Sequence, residues 1–271
     1  MITINGVIVD PGTLAGRSLW TPAQRETIGR MAESPTVFVY PHEGVLQFEL
    51  TLRDLTVSAA RALNQSGIGF ETFRTTRCNQ AFWQVTDSGG CRIRDQATPA
   101  QGILDIFQNG RLYGFECATA MLVVFYRAVL DAIGPQTFNR LFANLLLYDW
   151  QFDQDLGLTT VERTVHLPGD VVYFKNPDFD PATPEWQGEN AVVLGGGQYY
   201  AHGIGIATAN RIVPFLNRQR KPDGDRSAYL MEQATRPNYR YLYQFRRSSG
   251  TLLRTGGNRI VAQIGSAYYE R

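Results

Sequence analysis

In the first half of the chain, apolar positions recur at helical spacing. Leu52, Leu55, Ala59 and Leu63 lie three and four residues apart, which predicts an amphipathic helix over Thr51 to Asn64. From Cys117 to Ile133 the pattern changes, because Ala118, Ala120, Met121, Leu122, Val123, Val124, Phe125, Val129 and Leu130 leave no polar face. A helix apolar all round is one that other elements wrap. Gly134-Pro135 is its expected stop, and Gln136 to Leu147 reads as a further helix. After Leu167 the period becomes that of strands. Asp170 to Phe174 follows a Pro-Gly turn, and Glu189 to Leu194 and Gln198 to Ile206 flank the triple glycine Gly195-Gly-Gly197, a hairpin signal. Tyr239 to Phe245 and Ile260 to Ile264 are two further expected strands. Helices first and an antiparallel sheet second give an α+β fold, with the buried helix lying on the sheet.

Composition narrows the class. The chain has 271 residues, 44% hydrophobic and 19% charged, and a globular chain of that size buries about three-quarters of its unfolded surface. Asn176 to Pro184 and Asn217 to Ser227 read as loops that do not separate halves of different composition. One domain over 1–271 is expected, with its core at about 20–245 and a C-terminal extension at 246–271. Twenty-six basic residues against 25 acidic ones leave a net charge of +1, so there is no electrostatic case for a nucleic acid or an acidic membrane. Cys117 to Ile133 carries Thr119, Arg127 and Asp131 and is too short and polar to span a bilayer. Met1 to Asp10 has neither a basic flank nor a long apolar run, so no secretory signal is expected. Cys78, Cys91 and Cys117 are too few, and odd in number, for a disulfide scaffold. The thiols are therefore expected to be reduced, with Cys78 and Cys91 structural.

Cys117 is the sharpest candidate for chemistry. At the start of a buried helix, free amides and the dipole favour a thiolate, and the same amides could hold an oxyanion. Position alone leaves two readings open, a nucleophile and a small buried hydrophobe. The chain has three histidines. His42 and His166 read as loop or capping residues, and His202 lies on the second hairpin strand. Antiparallel pairing across the triple glycine brings Glu189 beside His202. Asp178, Asp180 and Glu185 resemble a calcium loop only faintly, because the glycine needed at its sharp turn is absent. Gly203-Ile-Gly205 falls within a strand and is no phosphate cradle. Neither a metal nor a nucleotide is expected.

Five blocks then form one pattern: Tyr113-Gly-Phe-Glu-Cys-Ala-Thr-Ala120, Tyr148-Asp-Trp150, Leu167-Pro-Gly-Asp-Val-Val-Tyr-Phe174, Trp186-Gln-Gly-Glu-Asn190 and Ala201-His-Gly-Ile-Gly205. In this order they resemble the small transglutaminases (protein-glutamine gamma-glutamyltransferases) of endospore-forming bacteria, over about Trp20 to Phe245. A looser similarity to NlpC-type cell-wall endopeptidases implies a papain-like core with added helices. In those peptidases the base is a histidine, and here Glu189 holds its place, with His202 near the third, orienting position.

The resemblance implies acyl transfer. Cys117 would attack the carboxamide of a protein glutamine, release ammonia and leave a thioester, which a lysine amine then converts to an isopeptide crosslink. Glu189 is the implied proton carrier, and Glu116 is either a second carboxylate sharing that role or a helix-start acid favouring the dipole. Ordinary values for a thiol and a glutamate differ by about 4 pH units, so burial is expected to raise Glu189 while the helix start lowers Cys117. Phe115, Trp150 and Trp186 are expected to enclose the sulfur in a narrow apolar passage against water. Because no calcium site is legible, catalysis is expected to be calcium-independent and free of a cofactor, and a monomer is expected. By the resemblance, its partners would be coat proteins bearing accessible Gln and Lys, after synthesis in the mother-cell cytoplasm of a sporulating cell and deposition on the spore coat. The rival readings are a cysteine peptidase or amidase acting on cell-wall peptides and a non-catalytic spore-surface protein.

Overall fold

The computed structural model describes residues 1–247 and, as backbone, the strands Thr251–Arg254, Ile260–Ile264 and Ala267–Glu270, which pair antiparallel. The expected strand at 260–264 is among them; the rest of the extension beyond 247 lies outside the described residues.

The central helix runs over Cys117–Ile133, the span its apolar pattern predicts, and every side chain from Ala118 to Tyr126 is buried. One side meets the long helix Glu43–Gln65 and another meets the strand Gly188–Gly195. That strand is buried along its whole length, as expected of an apolar strand covered on both faces. The sheet around it runs in the order Gly205–Thr208, Gln198–Ala201, Gly188–Gly195, Val171–Lys175, Gln233–Arg236, Thr159–Glu162, with every pairing antiparallel. This is the expected α+β arrangement. Among the described residues no helix is long and apolar enough to cross a membrane.

Four local expectations need correction. The amphipathic helix begins at Glu43, not near Thr51, because Val45, Leu46 and Leu50 turn toward a second apolar cluster around Ile28 and Met31. The helix expected to reach Leu147 stops at Leu141, and Leu146–Leu147 pairs with Cys91–Ile93 as a strand. Tyr239–Leu242 is a helical turn continued by a 3-10 turn at Tyr243–Phe245, not a strand. There Asn238 Oδ1 accepts from the Tyr241 amide at 3.0 Å, and Tyr239 and Leu242, three residues apart, are the buried pair. Gln198 to Ile206 is two strands, interrupted by a turn at His202-Gly203-Ile204.

The expectation of reduced cysteines also fails in part: Cys78 and Cys91 form a disulfide with a Cα–Cα distance of 6.5 Å. An odd count excludes full pairing but not one pair and one free thiol. Cys117 is the free cysteine of the described residues.

A buried ion triad fixes the turn that feeds the sheet. Arg53 is 1% exposed and donates to Glu49 at 3.0 Å, Asp170 at 2.8 Å and the Pro168 carbonyl at 2.9 Å. Asp170 also accepts from the Leu167 amide at 2.9 Å. Gly169 has φ +82°, and a Cβ there would stand 3.0 Å from the Arg53 backbone, so the Pro-Gly-Asp sequence fits this close approach. Arg53→Met removes the cation and leaves the buried carboxylates Glu49 and Asp170 without their shared guanidinium. It is expected to cost about 3–5 kcal/mol, read as a lower midpoint of urea unfolding with an unchanged slope.

Candidate functional site

The start of the central helix is built differently from the simple expectation. Glu116 is its N-cap, and its carboxylate accepts from the amides of Ala118 at 2.5 Å and Thr119 at 2.6 Å. Those two amides are therefore committed to Glu116 and are not left for a thiolate or an oxyanion. Cys117 is partly exposed at the floor of a cleft of about 1030 Å³.

Two consecutive residues of the strand Gly188–Gly195 act on the sulfur from opposite faces of that strand: Asn190 lines the cleft, whereas Glu189 does not line it and reaches the thiol through its charge. Asn190 Nδ2 donates to Cys117 Sγ at 3.3 Å. Glu189 is fully buried; its Oε1 accepts from the Gly203 amide at 3.3 Å, and its Oε2 has no partner among the described residues. The hairpin thus brings Glu189 to the His202-Gly203 turn as the pairing predicts, but the contact runs through backbone. The His202 ring is turned elsewhere, with Nδ1 2.9 Å from the Tyr200 hydroxyl and Nε2 3.1 Å from the Gly69 carbonyl. Nε2 must donate to that carbonyl, so Nδ1 accepts from Tyr200. Burial pushes His202 down to about 4, which keeps the ring neutral. Its place is to hold the turn that holds Glu189.

The electrostatics follow one expectation and reverse another. Burial pushes Glu189 up to about 8. The thiol was expected to fall, yet burial first, then the charges of Glu189 and Glu116, push Cys117 well above the ordinary thiol value. Asn190 opposes this through its backbone and side-chain amides without prevailing. The helix dipole is muted because the Glu116 carboxylate sits on it. At neutral pH both Cys117 and Glu189 are protonated.

The aromatic wall is also rearranged. Trp150 lines the cleft. Phe115 does not: it is a core residue, 1% exposed. Its partner across a parallel bridge, Phe70, takes the wall position. Trp186 backs that wall, stacked on Phe70 with centroids 5.0 Å apart and an interplanar angle of 17°. Gly203 lies against this stack, where a Cβ would stand 2.9 Å from the Trp186 ring. The passage is not purely apolar, since Arg74, Asp149 and Glu185 also border it. His42 begins the long helix, His166 lies in the stretch leading into the Arg53 clamp, and neither lines the cleft. Asp178, from the faint calcium pattern, accepts from the Asp225 and Arg226 amides and pairs with the Arg226 guanidinium.

A cysteine at a helix start facing a buried glutamate on a neighbouring hairpin is the arrangement against which known proteins can be compared. The family model described as protein-glutamine gamma-glutamyltransferase matches residues 1–246. Curated proteins of that name are similar over nearly the whole chain. That of Bacillus mycoides is 43% identical over 90% of this chain and 89% of its own length. That of Bacillus pumilus is 43% identical over 90% of this chain and 98% of its own. The chain belongs to the protein-glutamine gamma-glutamyltransferase family. A solved transglutaminase from Geobacillus stearothermophilus, without its C-terminal extension, superposes with a TM-score of 0.74 at 51% identity, covering 76% of this chain and 99% of that one.

Membership in the transglutaminase family sets aside both the peptidase and the structural-protein readings. Sequence reasoning missed three residues of this candidate site. Asn190 stood in a quoted block beside Glu189, and Tyr173, its partner across the sheet, stood in another. Phe70 carried no local signal.

The raised Glu189 has a consequence for stability. Between about pH 4.5, its ordinary value, and about pH 8 the folded state holds a proton that the unfolded state releases. Stability from this group is therefore full below that window and is lost as pH rises through it. Glu189→Gln keeps the Gly203 acceptor and removes the titration. The variant's stability relative to the parent is expected to be flat below pH 4.5, to climb from pH 4.5 to 8 and to level off above. Urea unfolding from pH 4 to 9 measures this, and a pH-independent difference contradicts it.

Proposed function

We propose that the chain forms ε-(γ-glutamyl)lysine crosslinks through a thioester on Cys117, with Glu189 as the proton carrier. The observation that carries this reading is a thiol on a cleft wall that feels the charge of a fully buried glutamate, itself moved by burial up to about 8. Sγ attacks the glutamine carboxamide as its proton passes to ionised Glu189. The same proton then goes to the amide nitrogen as the C–N bond breaks, and ammonia leaves. In the second half a neutral lysine amine attacks the thioester, Glu189 takes the amine proton, and sulfur receives it as the C–S bond breaks.

No resting thiolate is needed. Deprotonation accompanies attack, and a carboxylate near 8 is a far stronger base than an ordinary glutamate. Glu116 is the second carboxylate near the sulfur, but both its oxygens hold helix amides. This supports Glu189 as the base and Glu116 as the anchor of the helix start. His202 is an orienting residue acting through the Gly203 turn. Water competes with lysine at roughly 55 M, so the thioester must be kept dry. Trp150 and the Phe70–Trp186 stack are assigned that task. The substrates are proteins with accessible Gln and Lys, and by the family resemblance they are spore coat proteins, met after synthesis in the sporulating mother cell. Catalysis is assigned to these side chains without calcium.

The direct test is incubation with casein and a fluorescent primary amine. Incorporation is expected, is lost in Cys117→Ala, falls 10²–10⁴-fold in Glu189→Gln and persists with a calcium chelator. Because ionised Glu189 is the base, kcat/KM is expected to rise about tenfold per pH unit below 8 and to plateau above it. A rate independent of pH between 6 and 8 excludes Glu189 as the base. Trp150→Ala is expected to raise ammonia release relative to amine incorporation several-fold; an unchanged ratio removes Trp150 from water exclusion.

A further inference from the structure

We propose that Asn190 is a further catalytic residue, whose side-chain amide holds the oxyanion formed when Cys117 attacks the substrate carboxamide. The inference rests on the acyl-transfer reading. An acyl-transfer site needs donors beside the attacking atom. At the start of a helix the first amides are the obvious supply. Here Ala118 and Thr119 give theirs to the Glu116 carboxylate, and Ala120 bonds the Glu116 carbonyl at 3.1 Å. The Cys117 amide is what that helix start leaves over, since no acceptor takes it among the described residues.

The second donor comes from across the cleft. Asn190 Nδ2 lies 3.3 Å from Sγ. In the structure the nitrogen end of the amide faces the sulfur, the end that can donate to negative charge developing beside it. Asn190 is 7% exposed, lines the cleft and is fixed by pairing with Tyr173 in the middle of the sheet. Both carboxylates near the sulfur oppose negative charge there, and Asn190 is the neighbour that favours it. When Sγ bonds the carboxamide carbon, the carbonyl π pair moves to oxygen and the thiol proton passes to Glu189. The Asn190 N–H swings from sulfur to the new anion at one bond's remove. On collapse the pair returns, the C–N bond breaks, and ammonia leaves with the proton from Glu189.

The test separates an oxyanion donor from a residue that only orients the thiol. Asn190→Leu keeps the branched shape without a donor, and Asn190→Ala serves as the second variant, each in the full chain with its melting temperature checked. Two reactions are compared: incorporation of a fluorescent amine into casein, and modification of Cys117 by methyl methanethiolsulfonate. The latter transfers a methylthio group to sulfur with methanesulfinate leaving, so no oxyanion forms on carbon. Expected is a 10²–10³-fold fall in kcat, with KM and the methylthiolation rate each within about threefold of the parent. A parallel fall in both reactions, or a kcat within tenfold of the parent, overturns the assignment while the parent's activity still stands. A parent chain that fails to incorporate amine overturns the acyl-transfer reading itself.

Discussion

The Glu189 carboxyl is carried into the interior on a strand buried from end to end, and among the described residues no salt bridge reaches it. A carboxylate taken from water without a cation is held near neutrality by the cost of its charge. Moving it from its ordinary range to about 8 corresponds to at most ~5 kcal/mol against the ionised folded state, a large share of the 5–15 kcal/mol that holds a typical domain together. The apolar helix Cys117–Ile133, packed between the long helix and that same strand, offsets it. So does the Arg53 clamp, which commits the buried acid Asp170 to a cation that Glu189 lacks. Both acids are buried; Asp170 is held low by Arg53 first, then by Arg236 and the Leu167 amide, and Glu189, with no cation near it among the described residues, is held high.

Glu116 completes the arrangement by working against the helix start. An uncapped N-terminus would favour a resting thiolate. By taking the Ala118 and Thr119 amides, Glu116 fixes where the helix begins, and its charge adds to the burial that disfavours a thiolate on the next residue. The thiol then stays protonated beside a base that is itself protonated at neutral pH. Charge separation is deferred until a substrate occupies the cleft and excludes water, where each donor and carboxylate acts at lower dielectric.

Much of this was legible in the sequence, and the reasons for the rest are physical. The bounds of the central helix could be read because its apolar run and its Gly134-Pro135 stop are local. So could the meeting of Glu189 with the His202 turn, because a glycine turn fixes hairpin register. The long helix was cut short because its apolar positions change face at Leu50, toward a second cluster that only the tertiary fold defines. Phe115 and Phe70 were exchanged because a parallel bridge of two residues each, forty-five positions apart, leaves no periodic trace. The Cys78–Cys91 bond was missed because residue counting says nothing of proximity. The sign of the thiol shift was missed because the burial of Cys117, the largest cause, and the carboxylates of Glu189 and Glu116 around it are set by tertiary packing that a helix-start position does not reveal.

With Glu189 as the proposed base, an acid where the resembling NlpC-type peptidases carry a histidine has a physical rationale. Burial disfavours the charged form of either group, but that form is the proton acceptor for glutamate and the proton-bearing cation for histidine. The same hairpin displays both outcomes, with His202 driven down to about 4 and Glu189 up to about 8. A desolvated histidine becomes a weaker base, further from the thiol it must deprotonate, while a desolvated glutamate becomes a stronger one. A hydrolase can keep its site wet and use imidazole. A transferase that must exclude water to let lysine compete gains basicity from the dryness it requires, provided the base is a carboxylate. On the proposed mechanism, transfer in a dry site is therefore better served by an acid at position 189, while the His202 imidazole fastens a turn.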